Sequence, residues 1–349
     1  MLIYIFVYFS ALILFALGNR YKQKGFYLFA LLLLIVFGGF RYGNGQDYNS
    51  YWRIYLDVES TSVEYGYYWL CLFFKSLGLG PQIMYVVAMS ITLLLVYKAV
   101  SFYDSNQITF VFFVFLFAGF YTDSFNGVRQ YIAIGFFFYA TRYIFIHSFL
   151  RYSMVIIIGA LFHFSILFLL PFYFFLKIKY TDWSLFFGLL FMLGIFFVFP
   201  VTSLYEKIPV YGARYMLQSP EFAGSAKLGL GYASKLVLAL LLIKLRHKII
   251  ALDSRYNVVI NAFFFYILFM TLFKDIMVFL RIAYYFHIFL ILILPRVSSC
   301  FSAKSKVIIT SLVILYVFLL FGVQMSDKTA LLIPYQSNFD IETTLNTNR

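Results

Sequence analysis

Charged residues are scarce in this sequence, and their scarcity excludes most soluble folds. Only 12% of the 349 residues are charged, whereas a soluble domain has roughly 25%. Hydrophobic residues make up 63% of the chain and occur in long continuous runs. A membrane β-barrel would show short alternating segments instead. The sequence therefore predicts an all-α, polytopic integral membrane protein.

Acidic residues and cysteines are also few. The chain has 14 acidic and 27 basic residues, which gives a net charge of +13. In a membrane protein this excess indicates topology, because Lys and Arg concentrate in cytoplasmic loops, and we expect no nucleic-acid partner. Cys71 and Cys300 are far apart, so we expect neither a disulfide nor a cysteine metal site.

The signature motifs of soluble enzymes are missing. The sequence has no phosphate-binding glycine loop, no Gly-x-Ser-x-Gly and no His-Glu-x-x-His. Asp57-x-Glu59 could ligate a divalent cation, but we favour a solvated loop there. We therefore expect no cofactor and no metal site.

Apolar segments predict the transmembrane organisation. A spanning helix needs about 20 residues, so the shorter segments could re-enter the membrane instead of crossing it. The sequence predicts about 11–12 transmembrane helices, some short or re-entrant, in one domain at 1–323 followed by a tail at 324–349. The segments lie near 2–18, 26–40, 66–78, 82–100, 108–121, 131–146, 153–176, 185–200, 233–245, 257–273, 276–294 and 307–323.

Three basic loops indicate the orientation. They surround Arg20, 244–255 and 296–306, and we expect all three in the cytoplasm. Counting crossings from either end then puts two larger loops, 41–65 and 201–232, and the C-terminal tail in the periplasm.

The middle of the chain allows two topologies. If 66–78 crosses the membrane and 153–176 is one helix, the loop with Arg129 faces the cytoplasm. If 66–78 is re-entrant and 153–176 breaks near His163, Arg129 faces the periplasm. We favour the second topology, because it leaves the other basic residues of this region inside.

The first outer loop mixes fixed charge with flat aromatic rings. Its sequence from residue 41 to 65 is RYGNGQDYNSYWRIYLDVESTSVEY. Rings can lie against sugar faces, arginine can bind phosphate, and carboxylates can bind hydroxyl groups. The alternative is an interfacial loop whose Tyr and Trp form an aromatic belt.

A tight turn is expected inside this loop. Gly43 and Gly45 follow Arg41, and glycine tolerates the positive φ that such a turn requires. The turn would bring Asp47 back towards Arg41, and helical spacing would then put Tyr51 on the same face as Asp47. The competing interpretation is that Asp47 only caps the following helix.

Four arginines at the ends of apolar segments are candidates for binding a diphosphate, since arginine is preferred over lysine for bidentate phosphate contact. The alternative is that these arginines bind lipid headgroups. This alternative is weakest for Arg281, which lies inside an apolar run. The four are Arg41, Arg129, Arg214 and Arg281.

Candidates for moving a proton are a histidine and two carboxylates. His163 lies inside an apolar run, where an ionisable residue indicates function, although a neutral histidine bonded to a carbonyl is the alternative. Glu64 precedes a helix, which it could cap, or it could contact an acceptor. Asp47 is the third candidate, and the sequence does not choose among them.

Five short motifs, spread over nearly the whole chain, resemble those of the EpsG-like family of bacterial polysaccharide polymerases, which includes many Wzy-type O-antigen polymerases. The first is fairly specific, although Gln46 stands where a small or hydroxyl residue is expected. The motifs are F-R-Y-G-x-G-x-D-Y-x-x-Y (Phe40 to Tyr51), E-x-G-Y (Glu64 to Tyr67), N-x-x-R-Q (Asn126 to Gln130), F-H-F-S (Phe162 to Ser165) and P-Y (Pro334-Tyr335).

The resemblance implies a membrane-embedded glycosyltransferase that uses a lipid-linked donor. Such an enzyme would transfer a glycan from undecaprenyl diphosphate, en bloc, to the non-reducing end of an incoming lipid-linked repeat. It would act at the periplasmic face of the bacterial inner membrane, among membrane lipids and with a chain-length regulator as a further partner. A flippase for lipid-linked sugars, or a polymerase of capsule or exopolysaccharide, is the alternative.

The resemblance and the residue chemistry together give two sets of candidates. Asp47, Glu64 and His163 are the catalytic candidates. The substrate-binding candidates are Arg41, Tyr48, Tyr51, Trp52, Arg129, Gln130, Arg214, Arg281 and Tyr335.

Overall fold

The computed structural model describes residues 1–198, 229–273 and 277–340. The chain divides into two compact units. Unit 1 contains Met1–Leu170 together with Ala303–Arg349, and unit 2 contains Pro171–Ser302. Unit 2 is thus inserted in the sequence of unit 1. Most of the predicted outer loop 201–232 lies outside the described residues.

The secondary structure of the described residues consists of α-helices and two short 3₁₀ helices, at Phe164–Leu169 and Lys328–Ala330, with no named strand. The helices are α1 (Leu2–Tyr21), α2 (Lys24–Gly39), α3 (Tyr48–Leu56), α4 (Tyr65–Ser76), α5 (Gln82–Asp104), α6 (Ile108–Phe117), α7 (Phe120–Asp123), α8 (Val128–Ala140), α9 (Arg142–Phe145), α10 (Phe149–Ala160), α11 (Phe172–Phe175), α12 (Asp182–Val198), α13 (Leu230–Leu252), α14 (Tyr256–Leu272), α15 (Met277–His287), α16 (Leu290–Ser298) and α17 (Ala303–Ser326).

The lengths of these helices confirm the predicted class, an all-α polytopic membrane protein. In the described part of the chain, α1, α5 and α17 are each long and apolar enough to cross a membrane. A fourth span arises if α15 and α16, which meet at a bend of 42°, are taken as one. The other apolar helices are shorter, as the short apolar segments of the sequence predicted.

The predicted segment 153–176 is broken near its histidine. Helix α10 ends at Ala160, and the backbone at His163 is extended, with φ −157° and ψ 112°. Helix α4 has 12 residues, or about 18 Å, which is too short for a hydrocarbon core about 30 Å thick. Both observations favour the topology in which the segment around α4 re-enters, while the sidedness of the loops stays a prediction.

Unit 1 is built around α5, which packs against α2 and α8. The short helix α3 completes this core with one face, since Tyr48, Tyr51 and Tyr55 are its buried residues and follow helical spacing. Tyr48 stacks on Tyr85 with ring centroids 4.6 Å apart. Tyr48 and Tyr51 therefore face the protein interior, contrary to the expectation that they hold sugar rings, whereas Trp52 is only half-buried.

The predicted turn after Arg41 is present. Gly43 and Gly45 have φ of 67° and 100°, values that glycine adopts without strain. The expected pairing of Arg41 with Asp47 is not formed, however. In the described chain the guanidinium of Arg41 donates to the carbonyl oxygens of Gly38, Asn44 and Phe125, at 2.5, 3.2 and 3.0 Å.

Arg41 therefore has a structural role in this fold, while its predicted contact with substrate stays a prediction. Its side chain is only 1% exposed, and its guanidinium carbon lies 4.8 Å from the ring centroid of Tyr85 and 4.5 Å from that of Phe125. A buried charge is tolerated only when it is paired or well hydrogen-bonded. Here the carbonyls of Gly38, Asn44 and Phe125 and the rings of Tyr85 and Phe125 surround the guanidinium.

The C-terminal segment 327–340 folds back onto the first loop. The amide of Tyr42 donates to the carbonyl of Gln336 at 2.8 Å, and the amide of Asn338 donates to the carbonyl of Phe40 at 2.8 Å. Tyr335 donates its hydroxyl to Phe37 O at 2.6 Å and stacks on the Phe37 ring. Tyr335 thus also holds the fold together, and its predicted contact with substrate stays a prediction.

Asn44 is the main side chain that holds this segment. Its Nδ2 lies within hydrogen-bond distance of the carbonyls of Leu331, Leu332 and Pro334, at 3.2, 3.1 and 2.9 Å. Its Oδ1 accepts from the amide of Gln336 at 2.9 Å. The side chain is buried. The carbonyls of Leu331 and Leu332 also accept from the amide of Gly45 and the hydroxyl of Tyr4, so Asn44 completes a set of contacts that holds the segment.

We expect Asn44→Asp to release the C-terminal segment. The change replaces a donor by an ionised acceptor, which would face three carbonyl oxygens in a buried site, at a cost of about 1–3 kcal/mol. Limited proteolysis of the purified protein should then cleave 327–340 faster than in the wild type. Asn49→Asp, on the exposed side of α3, is the control, and equal cleavage of both variants would contradict this role for Asn44.

Unit 2 has a core in which α14 packs against α12, α13 and α15. Phe172 contacts Phe265 and Phe286, with ring centroids 4.9 Å apart in each pair. Asp182, at the start of α12, lies 3.2 Å from Nη1 of Arg246. Arg281 lies on α15 with its side chain exposed.

Candidate functional site

Glu64 is the centre of a cluster of charged side chains inside unit 1. It precedes α4 in the N-cap position, and it is buried. Its Oε1 lies 3.1 Å from Nδ1 of His163 and accepts from the amide of Phe164 at 3.4 Å. Its Oε2 accepts from Nη1 of Arg129. One carboxylate therefore joins the helix start, the broken segment and the beginning of α8.

Arg129 is held against the core by two rings. Its guanidinium carbon lies 5.9 Å from the ring centroid of Tyr51 and 5.8 Å from that of Tyr67, within the range of cation–π attraction. Its Nε–H is buried and has no hydrogen-bond partner in the described part of the chain. Arg129 thus gives one N–H to Glu64 and keeps donors for an anion.

His163 presents its other ring nitrogen away from Glu64. An ionised carboxylate only accepts hydrogen bonds, so in the neutral ring Nδ1 carries the proton and Nε2 has a free lone pair. Within the described residues Nε2 makes no hydrogen bond. The side chain is 18% exposed, compared with 10% for Glu64, so the imidazole is the more accessible member of the pair.

The charge state of Glu64 follows from its partners. Burial raises the pKa of the Glu64 carboxyl, but the hydrogen bond from His163 and the positive charge of Arg129 outweigh this effect. The resulting pKa lies below its ordinary value, and Glu64 is ionised at neutral pH.

A contact between backbones sets the distance from Glu64 to His163. The carbonyl of Leu161 accepts from the amides of Gly66 and Tyr67, at 2.8 and 3.3 Å. This contact ties the first turn of α4 to the chain that leaves α10. Gly66 is needed there, since a Cβ at this position would lie 2.7 Å from Cβ and 2.8 Å from O of Leu161.

We expect Gly66→Ala to lower turnover while the protein still folds. The added methyl must push α4 away from Leu161 and shift Glu64 relative to His163, and such a displacement costs about tenfold or more in rate. The measurement is turnover per folded molecule of the purified variant. Gly25→Ala is the matched control, because nothing lies within 4 Å of a Cβ there; equal turnover of the two variants would argue against the contact.

The remaining predicted residues lie in several places. Gln130 is buried next to Arg129. Asp47 is half-buried at the N-cap position of α3, where its side chain makes no capping hydrogen bond. Arg281 belongs to unit 2. Arg214 lies outside the described residues.

Two residues of the site were not among the predicted ones. Gly66 and Tyr67 supply the close backbone approach and one of the rings under Arg129. Both belong to the E-x-G-Y motif. The motif therefore marked Gly66 and Tyr67 in the sequence, but its glutamate is the only residue in it whose side chain indicates a chemical role.

The fold and the site define a class: a helical membrane protein with an imidazole–carboxylate pair beside an arginine that has donors left for an anion. Residues 24–337 match the model of the EpsG family, so the chain belongs to that family, a Wzy-like family of polysaccharide polymerases. The resemblance predicted from the five motifs is confirmed. No curated protein and no solved structure matches the chain.

Proposed function

We propose that the protein polymerises lipid-linked oligosaccharide repeat units of the O-antigen type. It transfers the glycan from undecaprenyl diphosphate, en bloc, to the non-reducing end of an incoming lipid-linked repeat. The reaction takes place at the periplasmic face of the bacterial inner membrane. Membership of a polysaccharide polymerase family supports the polymer-forming part of this proposal.

The cluster around Glu64 is the single observation that carries the proposal. Glycosyl transfer from a lipid diphosphate needs a cation for the leaving group and a base for the attacking hydroxyl. Arg129 offers the cation, with a buried Nε–H that no described residue uses. Glu64 and His163 lie beside it and can handle the proton.

The leaving group determines how much chemistry the protein must supply. A lipid diphosphate leaves readily once its developing charge is neutralised, and fixed donors in a water-poor site do this well. A carrier for lipid-linked sugars would need the cation but no proton acceptor. The presence of the Glu64–His163 pair next to Arg129 therefore favours an enzyme.

Catalysis is expected to proceed without a divalent cation. Both oxygens of Glu64 already accept hydrogen bonds, and the described residues contain no group of three or more His, Cys, Asp or Glu side chains that could hold a metal. Polymer formation should be unchanged in a chelator. Loss of activity that magnesium or manganese restores would contradict this and point to Asp57 and Glu59.

Purified protein and isolated lipid-linked repeat units test the proposal. In detergent, the wild type should convert single repeats into a ladder of longer glycans, which gel electrophoresis separates. In proteoliposomes, the same substrate should stay in its original leaflet unless a flippase is added. Movement between leaflets without a ladder would identify a carrier and overturn the proposal. The repeat units of O-antigen, capsule and exopolysaccharide, tested in turn, identify the polymer.

A further inference from the structure

The arrangement of the Glu64 cluster assigns separate roles to its carboxylate and its imidazole. We propose that Nε2 of His163 is the catalytic base for the acceptor hydroxyl, that Glu64 is a positioning residue, and that the transfer is a single displacement that inverts the anomeric carbon. This inference rests on the proposed function, because it concerns the same transfer at the same site.

Glu64 is poorly placed to act on substrate itself. Oε1 is taken by His163 and by the amide of Phe164, and Oε2 is taken by Arg129. Its side chain is only 10% exposed. A base or a nucleophile needs an accessible lone pair. Three donors use most of the four lone-pair positions of a carboxylate, and burial makes the remaining one hard for a substrate hydroxyl to reach.

His163 has the accessible lone pair. Its Nδ1 is oriented by Glu64, which leaves Nε2 as the acceptor in the neutral ring. Its backbone lies in the extended break after α10, and its side chain is 18% exposed. A base held by a third group is the usual arrangement for activating a hydroxyl.

The step balances with these residues alone. The acceptor oxygen forms a bond to the anomeric carbon of the donor while the bond from that carbon to the diphosphate oxygen breaks. The electron pair leaves with the diphosphate beside Arg129, and the acceptor proton moves to Nε2 of His163. The imidazolium that forms is stabilised by Glu64. A base that activates the attacking oxygen gives inversion, whereas a carboxylate nucleophile would give retention.

The histidine is tested first by removal and rescue. His163→Ala should lower turnover per folded molecule about 100-fold or more, and added imidazole should restore part of it. His147→Asn is the control: His147 is exposed and has φ 53°, a conformation that asparagine tolerates. The control should keep wild-type turnover and show no response to imidazole. Wild-type turnover of His163→Ala, or a loss that imidazole does not restore, would overturn the assignment.

The positioning role of Glu64 has its own measurements. ¹⁵N-histidine spectra of the wild type should show a protonated Nδ1 and a bare Nε2 at His163, and Glu64→Gln should remove this preference and lower turnover about 100-fold. Glu64→Asp should restore part of both. A bare Nδ1 in the wild type would overturn the assignment.

The product decides between the two displacement mechanisms. NMR of the polymer should show the new linkage with the anomeric configuration opposite to that of the lipid-linked repeat. Retention would assign the nucleophile to a carboxylate and overturn this inference, while the proposed polymerase would stand. If the wild type makes no polymer at all, the proposed function fails instead.

Discussion

Replacing Arg129 by lysine is expected to lower polymer formation about 100-fold, which corresponds to about 2.7 kcal/mol in the barrier. The guanidinium donates to Glu64 through Nη1 and keeps other N–H groups for a phosphate. An ammonium is a single point of charge and does not reproduce this forked geometry. A lysine at this position can form the ion pair with Glu64 or bind the diphosphate, but it cannot do both as well as arginine does. The variant should fold, because the positive charge beside Glu64 is retained.

Turnover per folded molecule, with thermal unfolding of the same preparation, is the measurement for Arg129→Lys. Arg142→Lys is a matched control, since the Arg142 guanidinium carbon also lies against aromatic rings, 5.1 Å from the centroid of Tyr139 and 5.6 Å from that of Phe102. It should keep wild-type turnover. Equal turnover of wild type and Arg129→Lys would place diphosphate recognition elsewhere, with Arg281 as the remaining described candidate from the sequence.

Arg41→Met is expected to abolish stable folding. Methionine fills a similar length but leaves the carbonyls of Gly38, Asn44 and Phe125 buried without their donor. Each such group costs about 1–3 kcal/mol, and the sum is comparable with the whole stability of a typical protein, about 5–15 kcal/mol. The yield of monodisperse protein and its unfolding temperature should both fall sharply.

Arg53→Met provides the comparison for Arg41→Met. Arg53 lies on the exposed side of α3, and its replacement should change the unfolding temperature little. The two variants remove the same charge from the same loop, so a difference in their unfolding temperatures measures the effect of removing a buried arginine instead of an exposed one. If Arg41→Met kept the wild-type unfolding temperature and lost only turnover, Arg41 would contact substrate, as the sequence first indicated.

The membrane class and the heart of the candidate site could be predicted from the sequence. An ionisable side chain in an apolar run is costly, so His163 stood out without any knowledge of its neighbours. Glu64 and Arg129 stood out because charges at the ends of apolar segments are few in a chain with 12% charged residues. The structure then brought these three residues together.

The role of Arg41 could not be predicted, because its partners are backbone carbonyls. Every residue has a carbonyl group, so no sequence pattern marks which ones will surround a guanidinium. The aromatic residues of α3 posed a similar problem. Tyr48 and Tyr51 could face sugar or protein, and the decision lay with α5 and α8, whose approach leaves no sign in residues 41–65.

The contacts between Asn44 and the C-terminal segment also constrain the order of events during synthesis. The amide that donates to Oδ1 of Asn44 belongs to a residue 292 positions later in the chain. At about 5–20 residues per second, the ribosome needs roughly 15–60 s to make that distance. During this time the C-terminal segment that Asn44 binds has not been made, and the whole of unit 2 is synthesised before that segment emerges. The first loop is therefore among the earliest parts of the protein to be made and among the last to be completed.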